Sequence, residues 1–470
     1  MEQQHEVEFE VKIISNETIK ASVPPTSHPE TFNLSLLDQI FPAFTIPLLL
    51  FYNPNTPTPH KIDITSLKTS LSYSLDKFYP LAGRFLDDST ISCNNQGIPF
   101  IETKIDCHLS TLLSSPYKLK SLIKFLPPTE LQAQWGQSIS ELIPLAFQIN
   151  VFKCGGVVLG CYMLHKFIDV ASVGTFLKHW AALASKQHIN SYSLVQPNFA
   201  ATVKAFPPLP RVELKHVFVP DLSKESSTGQ SSCDSDSDSD SDSVIIIAKS
   251  FIFTSVALNK LKAKAASELV PTPTSFEALA AFVWEQAALA SGKVEHTKLT
   301  FTVNMRRRMI PPLPKESIGN LLTNVHPQVD DFRSSNLQEL VKEIHSELYK
   351  LNHRITTVYQ GENGAEVLMA EMKVETQRVM GCNGPGSGLY RLSSWCKLGL
   401  NEADFGFGKL LHIIPFDGSS VPTINKNLIF FTDYSHPSNG DGIEAWLFLE
   451  EKEMQVLESN PHFLAFAAPS

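Results

Sequence analysis

The sequence predicts a mixed α/β fold made of two domains with a cleft between them. The chain has 470 residues and is 43% hydrophobic, which is enough apolar material for more than one core. Both halves of the chain alternate strand-like apolar runs with helical periodicity, as mixed domains do. A stretch rich in proline, serine and aspartate separates the two halves, and such a stretch marks a domain boundary.

The first predicted domain covers residues 1–200. Leucines at helical spacing predict a helix over Ile64–Phe78, and Pro80 ends it. An uninterrupted apolar run predicts a buried strand over Val157–Leu164. Helical spacing returns after this strand and predicts a second helix that ends near Ser185.

Residues 201–243 form a predicted crossover loop between the domains. Prolines interrupt regular structure at its start, and Asp234–Ser243 alternates aspartate and serine. Such a tract cannot bury apolar area, so we expect a solvated, disordered loop. We interpret it as an inert surface insertion, and a phosphorylation tract is the alternative.

The second predicted domain, residues 244–470, again mixes strands and helices. Thr274 and Glu277 have the spacing of a capping box ahead of a helix that ends at Ser291, and Gly292 follows it. The other predicted elements are strands at Val244–Ile247, Phe251–Phe253, Leu299–Asn304, Leu428–Phe431 and Gly442–Leu447, and an amphipathic helix at Leu337–Leu348.

Composition and charge exclude several classes of protein. A formal net charge of −9 disfavours nonspecific binding to nucleic acid. No apolar run is long enough to span a bilayer, and the acidic N-terminus has no apolar signal core. We therefore expect a cytoplasmic protein that does not bind membranes. Seven cysteines without a Cys-x-x-Cys pair argue against a disulfide framework and a zinc site, and we expect no bound metal.

The strongest candidate for chemistry is His165, four residues before Asp169, where the predicted strand gives way to a helix. Histidine has the unperturbed pKa nearest to neutral pH, and the end of a strand can present it to a cleft. The simpler interpretation makes Asp169 a helix N-cap and His165 an ordinary residue. The two interpretations of Asp169 are compatible, because a capping aspartate can also fix the geometry around a base.

Two further motifs carry charge. Val303–Arg308 ends a predicted strand in consecutive arginines, and alternation turns one of them inward, where it needs a carboxylate partner such as Asp169. Asp404 begins the motif Asp-Phe-Gly-Phe-Gly-Lys. A kinase magnesium motif is excluded, because the chain lacks a His-Arg-Asp loop and a glycine-rich ATP loop. Gly406 and Gly408 instead predict a tight structural turn.

Taken in order, these motifs resemble those of the plant BAHD acyltransferases. The resemblance covers nearly the whole chain and is closest to the branch of alkaloid acetyltransferases. The chain departs from the family pattern at Phe407, where tryptophan is usual, and at Val170, where many members have glycine. The matching motifs are Leu37-Asp38-Gln39, Tyr79 to Arg84, His165 to Asp169, Val303 to Arg306, Pro311 to Pro314, Ile318-Gly319-Asn320, Ser393-Ser394-Trp395 and Asp404 to Lys409.

The resemblance implies two chloramphenicol-acetyltransferase-like domains, each a mixed sheet flanked by helices, with a solvent channel at their interface. It implies that His165 is the general base at the centre of this channel. Asp169 is then expected to point away from the substrate and to pair with Arg306, which holds the loop. The segment around residues 390–412 is expected to cross between the domains.

The same resemblance assigns roles in the two halves of the channel. Asp404, a motif residue with a mainly structural role beside the catalytic base, is expected to shape the coenzyme A side together with Gly406 and Gly408. Ser393 and Trp395 match positions that line the acceptor pocket. The indole N–H of Trp395 is one candidate donor to the oxyanion.

The activity implied is transfer of an acyl group, in the first instance acetyl, from acyl-CoA to a hydroxyl of an alkaloid, terpenoid or sugar ester. Acyl-CoA is a co-substrate, and no tightly bound cofactor is expected. Transfer would be direct, within a ternary complex, and the protein would act as a monomer. The alternatives are an N-acyltransferase on an amine or polyamine, and a catalytically weak relative that binds coenzyme A.

Two further expectations concern the donor. Coenzyme A carries phosphates, and Lys260, Lys262 and Lys264 are candidates to bind them, with a solvated helix face as the alternative interpretation. An acyl-enzyme route through Cys161 is disfavoured. Cys161 and His165 lie four positions apart on one strand candidate, roughly 13 Å at about 3.3 Å per residue.

Overall fold

The computed structural model describes residues 9–54, 62–113, 122–133, 137–185, 194–210, 245–292, 294, 297–329, 331–361, 363–381, 388–416, 426–436 and 440–469. These residues form three sheets and eleven α-helices, which confirms the predicted mixed α/β class. The Asp-Ser tract of the predicted crossover loop lies outside the described residues.

The strands are numbered along the chain. They are β1 Val11–Ile19, β2 Thr31–Asn33, β3 Thr45–Asn53, β4 Arg84–Asp87, β5 Thr90–Ser92, β6 Ile98–Ile105, β7 Leu145–Phe152, β8 Val157–Leu164, β9 Ile246–Thr254, β10 Thr297–Asn304, β11 Leu322–Val325, β12 Gly388–Ser394, β13 Lys409–Pro415, β14 Leu428–His436, β15 Gly440–Glu450 and β16 Ala468–Pro469.

The helices are numbered in the same way. They are α1 Leu36–Ile40, α2 Ile64–Lys77, α3 Leu109–Leu113, α4 Val170–Ala184, α5 Phe199–Ala205, α6 Ser255–Ala265, α7 Ser275–Ser291, α8 Leu337–Arg354, α9 Gly364–Gly381, α10 Glu451–Glu458 and α11 Pro461–Leu464.

The first sheet has six strands in the order β1-β6-β7-β8-β3-β13. Strand β13 joins it from the far end of the chain and pairs antiparallel with β3, so that Lys409 lies opposite Asn53. Helices α2 and α4 pack on one face, where Leu71 and Trp180 are buried against Leu50 and other sheet residues. A separate three-stranded sheet, β2-β5-β4, was not predicted from the sequence.

The second sheet has seven strands in the order β11-β10-β12-β14-β15-β9-β16. Helices α6, α7 and α8 cover one face, and residues such as Phe301 and Leu392 pack against them. Alternation sends their neighbours Thr302 and Ser393 to the opposite face. Ile246 and Ile247 of the first predicted strand and all of Phe251–Phe253 belong to one long strand, β9, that starts at Ile246, and Val244 lies outside the described residues.

The two sheets meet through an apolar cluster on the faces that these helices leave open. Leu49 and Tyr162 of the first sheet share this cluster with Trp446 and Phe448 of the second. The segment between β12 in the second sheet and β13 in the first passes from one sheet to the other. No helix among the described residues combines the length and the apolar character needed to cross a bilayer.

Local signals explain several boundaries. Helix α7 starts at a capping box in which the Thr274 hydroxyl and the Glu277 carboxylate each bond the other's backbone N–H, and it ends at Gly292 in the left-handed region. Helix α4 starts at Asp169, whose carboxylate accepts the backbone N–H of Ser172. Both helices were predicted, and their bounds differ from the predicted ones by no more than a turn.

Candidate active site

His165 lies directly after β8, at the position where the strand ends and the chain turns toward α4. Its backbone N–H donates to the carbonyl oxygen of Phe44 over 2.8 Å, which fixes the end of the strand. The imidazole stacks on Phe41 with ring centroids 4.6 Å apart and also contacts Phe44. The side chain is 7% exposed, so the ring sits in an apolar, largely dry setting.

Asn320 sets the tautomer of His165. The amide nitrogen of Asn320 donates to the His165 carbonyl oxygen over 2.7 Å, so its amide oxygen is the atom that faces the ring. That oxygen lies 2.9 Å from Nδ1 and can only accept, so Nδ1 carries the proton. The lone pair is therefore on Nε2, as a general base requires.

The charge state of His165 follows from its surroundings. Burial lowers the pKa of His165 below its ordinary value, although the Asn320 oxygen and the charge of Asp169 act in the opposite direction. The ring is thus neutral at pH 7 and free to take up a proton. A neutral imidazole with an oriented Nε2 lone pair is the arrangement a general base needs.

The Asp169 carboxylate is bonded to Arg306 rather than to the His165 ring. It is 1% exposed and forms a bidentate salt bridge with Arg306, with nitrogen–oxygen distances of 2.7 and 3.0 Å. It also accepts the Ser172 hydroxyl over 2.8 Å and the Leu321 backbone N–H over 3.2 Å. Burial alone would raise the pKa of Asp169, but the charge and hydrogen bonds of Arg306, with those of Ser172, hold it below its ordinary value.

Arg306 is the inward-facing arginine of its run, since it is 2% exposed whereas Arg307 is exposed. Besides Asp169, its guanidinium donates to the carbonyl oxygens of Ser317 and Gly319. These bonds fix the turn that carries Asn320. The pair thus ties the start of α4 to a turn of the second half of the chain.

Asp38 supports Asn320 from behind and was missed as a site residue by sequence reasoning. Its carboxylate accepts the Asn320 backbone N–H over 2.7 Å and the Ser35 hydroxyl over 2.6 Å. Burial raises the pKa of Asp38 to about 7, although these hydrogen bonds act in the opposite direction. Asp38 and Asn320 each belong to a sequence motif shared with the BAHD family, but no pattern near either residue indicates that the two motifs are in contact.

His165 lines a cavity of about 210 Å³ between the two sheets. Thr302 and Asn304 of β10 line it from the second sheet, and Ser393 and Trp395 line it from the β12 side. The indole N–H of Trp395 donates to the Ser393 hydroxyl oxygen over 3.2 Å. Ser393, whose own proton stays free to turn, is therefore the better candidate for an oxyanion donor than Trp395.

Comparison with known proteins identifies the family of the chain. A family model described as the Transferase family matches residues 9–464. The chain belongs to this family, the BAHD acyltransferases. Akuammiline synthase 2 of Alstonia scholaris is 33% identical over 98% of this chain and 97% of its own length. The limonoid 7-O-acetyltransferase of Citrus sinensis is 29% identical over 98% of both chains.

The crystal structure of vinorine synthase superimposes with a TM-score of 0.72 at 27% identity, covering 97% of this chain and 98% of that one. BAHD enzymes are acyl-CoA-dependent, and several relatives are named as O-acetyltransferases. The protein is therefore an acyl-CoA-dependent acyltransferase. The predicted resemblance to the family and to its alkaloid acetyltransferases is confirmed.

The second BAHD motif, at Asp404, lies away from the cavity lining described above. The Asp404 carboxylate accepts the backbone N–H of Gly406 over 2.9 Å and closes a tight turn. Gly408 has a φ of 122°, and a Cβ there would lie 1.9 Å from the Asn53 carbonyl oxygen. The turn is therefore a close-packed link to β3, and a glycine is required where the two backbones meet.

The aromatic residues of this motif anchor it to the first sheet. Phe405 packs edge-on against Trp180 at 4.8 Å, and Phe407 packs edge-on against Tyr52 at 5.6 Å. The Tyr52 hydroxyl donates to the Ala403 carbonyl oxygen over 2.9 Å. Phe407 is 9% exposed, so a phenyl ring fills the position where the family usually has tryptophan.

The structure does not bring Lys260, Lys262 and Lys264 to the cavity. All three lie on α6, which packs on the helix-covered face of the second sheet, opposite the face that lines the cavity. Lys264 contacts His462 and lies over the Phe466 ring. The assignment of these lysines to coenzyme A stays a prediction that the cavity does not support.

Cys161 is not placed for an acyl-enzyme route. It is fully buried in the core of the first sheet and does not line the described cavity. Burial raises the pKa of the Cys161 thiol far above its ordinary value, which removes the thiolate that a nucleophile needs.

Proposed function

We propose that the enzyme transfers an acetyl group from acetyl-CoA to a hydroxyl of a plant specialised metabolite, an alkaloid, a terpenoid or a sugar ester. Relatives named as O-acetyltransferases support the acyl group and the hydroxyl acceptor. The observation that carries the mechanism is the hydrogen bond between His165 Nδ1 and the Asn320 amide oxygen, which leaves the lone pair on Nε2 in a ring that lines the cavity between the sheets.

The reaction needs both substrates in the cavity at once. The acceptor hydroxyl gives its proton to Nε2 of His165 while its oxygen attacks the thioester carbonyl carbon. The C–S bond of the tetrahedral intermediate then breaks, and the imidazolium returns the proton to the departing thiolate. A positioned base contributes about 10²–10⁴-fold in rate, and the alignment of the two substrates supplies much of the remainder.

The roles of the other residues follow from their contacts. Asn320 keeps the proton on Nδ1 and stabilises the imidazolium as it forms. Ser393 donates its hydroxyl to the oxyanion of the intermediate, and the hydrogen bond from the Trp395 indole N–H holds the Ser393 oxygen in position. Asp169 and Arg306 hold the turn that carries Asn320, so they are positioning residues.

The experiment compares His165→Gln with a matched control, His179→Gln. His179 is also buried, but it bonds the Val195 carbonyl oxygen and does not line the described cavity. Each protein is incubated with acetyl-CoA and a plant metabolite extract, and free thiol release and acetylated products are measured. We expect His165→Gln to lower kcat by about 10²–10⁴-fold with an unchanged melting temperature, and His179→Gln to keep its activity. Near-normal thiol release by His165→Gln would disprove the mechanism.

We also propose that the enzyme acts as a cytoplasmic monomer. One chain supplies both sheets and the lining of the cavity, which supports action without a second subunit. Light scattering of the active fraction tests this, and a dimer mass in that fraction would contradict it.

A further inference from the structure

The imidazole of His165 contacts two phenylalanine rings of the segment that joins α1 to β3. Phe41 stacks nearly parallel to it, with ring centroids 4.6 Å apart and an interplanar angle of 16°. Phe44 is tilted by 43°, with ring centroids 5.1 Å apart. The two rings differ in what they border, because Phe44 lines the cavity and Phe41 is not part of its described lining.

Phe41 covers the His165 ring from outside the cavity. It is half-buried, and the next two residues, Pro42 and Ala43, are exposed, so this segment lies between the base and solvent. His165 itself is only 7% exposed behind it. Cutting the Phe41 side chain back to Cβ would therefore open a second route to the base, separate from the cavity that the two substrates fill.

Hydrogen bonds on both sides hold this cover in place. On the α1 side, the buried ammonium of Lys166 donates to the Gln39 carbonyl oxygen over 2.6 Å, and Lys166 directly follows His165 in the chain. On the β3 side, the Phe44 carbonyl oxygen accepts the His165 backbone N–H over 2.8 Å. The backbone that carries Phe41 is thus tied at both ends to the backbone that carries the base.

Water competes with the acceptor for this base. Nε2 of His165 accepts a proton from any hydroxyl that reaches it beside the thioester, and water is in large excess over an alcohol. In that side reaction the water oxygen attacks the carbonyl carbon, the C–S bond breaks, and the proton returns to the thiolate. The products are acetate and free coenzyme A. An acyltransferase therefore has to keep water away from its base.

We propose that Phe41 makes the enzyme specific for alcohols over water, because its ring closes the side of His165 that lies outside the cavity. The inference rests on the proposed function, since it takes His165 as the base of acyl transfer. Phe41 then decides how acetyl-CoA divides between ester formation and hydrolysis.

The test replaces Phe41 by leucine and by alanine, which shorten the cover in two steps. Phe466→Ala is the matched control, because Phe466 is also a half-buried phenylalanine beside a histidine, His462, but is not part of the described cavity lining. Each protein is incubated with acetyl-CoA alone, and the release of free thiol and acetate is measured. A second set of reactions adds the plant metabolite extract, and acetylated products are measured against acetate.

We expect Phe41→Ala to raise acetate release from acetyl-CoA alone by about tenfold, the scale of the largest contribution of one aromatic contact. Phe41→Leu should raise it less, and this milder change keeps the test valid if Phe41→Ala does not fold. Ester formation should fall in the same order, because the His165 ring loses its stacking partner. Coenzyme A binding, measured by calorimetry, should stay unchanged, and Phe466→Ala should behave as wild type.

The double variant Phe41→Ala with His165→Gln shows whether the added hydrolysis uses the base. We expect the gain in acetate release to disappear in this variant, because water then has no group to take its proton. A gain that survives there would mean that water reacts by another route, which would overturn the proposal.

Two further outcomes would also overturn it. Acetate release at the wild-type rate by both Phe41 variants would show that the ring does not exclude water. An equal rise in Phe466→Ala would show that the effect does not come from the cover of the base. If wild type forms no acetyl ester from the extract while the Phe41 variants still release more acetate, the proposed acceptor class fails and the role of Phe41 stands.

Discussion

The buried ion pair between Asp169 and Arg306 is the interaction whose loss we expect to be most costly to stability. The side chains are 1% and 3% exposed, and the carboxylate accepts two hydrogen bonds from the guanidinium. Asp169→Asn keeps the size of the side chain but leaves the guanidinium buried without a counter-ion. Removing one partner of a buried pair costs about 3–5 kcal/mol. That is a large part of the about 5–15 kcal/mol by which proteins are stable.

Thermal melting measures this loss. For a chain of 470 residues, whose unfolding entropy is about 1 kcal/mol/K, a change of about 3–5 kcal/mol lowers the melting temperature by about 3–5 °C. The matched control is Glu347→Gln, the same chemical change in an exposed pair with Lys350, where we expect no resolvable shift. Asp169→Asn combined with Arg306→Met should recover part of the loss, because no charge is then left unpaired. An Asp169→Asn variant that melts within about 1 °C of wild type would refute the reasoning.

The pH dependence of stability gives an independent check on the same pair. Because the pKa of Asp169 is lower in the folded protein than in the unfolded chain, its contribution is present above the unfolded value. That contribution is lost as the pH falls through the folded value. Asp169→Asn should remove this part of the acid destabilisation, so the melting temperatures of the variant and the wild type should become more similar as the pH is lowered.

Three further predictions concern the base and the second motif. Asn320→Ala should lower kcat and leave acetyl-CoA KM unchanged, and the loss should be smaller than the loss of about 10²–10⁴-fold expected when the base itself is removed. An unaltered kcat would contradict the tautomer assignment. Because burial lowers the pKa of His165, the acid limb of the kcat/KM profile should lie below the ordinary value of about 6.5, and a limb at neutral pH would contradict it. Gly408→Ala should lower the melting temperature far more than Gly292→Ala. Both glycines have positive φ, but only at Gly408 would the added methyl carbon clash, since it would lie 1.9 Å from the Asn53 carbonyl oxygen. Equal melting temperatures of the two variants would argue against the close packing.

Sequence reasoning succeeded where the signal is local. The capping box at Thr274 and the glycine at Gly292 predicted both ends of α7, because capping depends on residues within one turn. The unbroken apolar run predicted β8 with its observed bounds, since a strand buried on both faces needs no alternation. Alternation at the end of β10 also predicted that one arginine of the run turns inward, and the family resemblance identified it as Arg306, which is buried.

Sequence reasoning failed where distant segments meet. The bond between His165 and Asn320 joins residues 155 positions apart, and nothing near either residue indicates the other. The lysines of α6 were assigned to coenzyme A by charge alone, and that assignment stays a prediction, because the face on which the helix lies is decided by packing of Leu258 and Leu261 against the sheet. The partner of β13 could not be predicted from its own residues either, because pairing with β3 requires the chain to cross between sheets.

His165 is held in the tautomer that a general base needs only when the two halves of the chain are packed together. His165 comes from the first half, and the Asn320 oxygen that holds its proton on Nδ1 comes from the second. The turn that carries Asn320 is held by Arg306 through the carbonyl oxygens of Ser317 and Gly319, and Arg306 is held by Asp169. Loss of Asp169 should therefore lower both stability and kcat, whereas loss of Asn320 should lower kcat with a much smaller effect on melting. An Asp169→Asn variant with normal melting and a lost kcat would instead mean that Asp169 takes part in proton transfer directly.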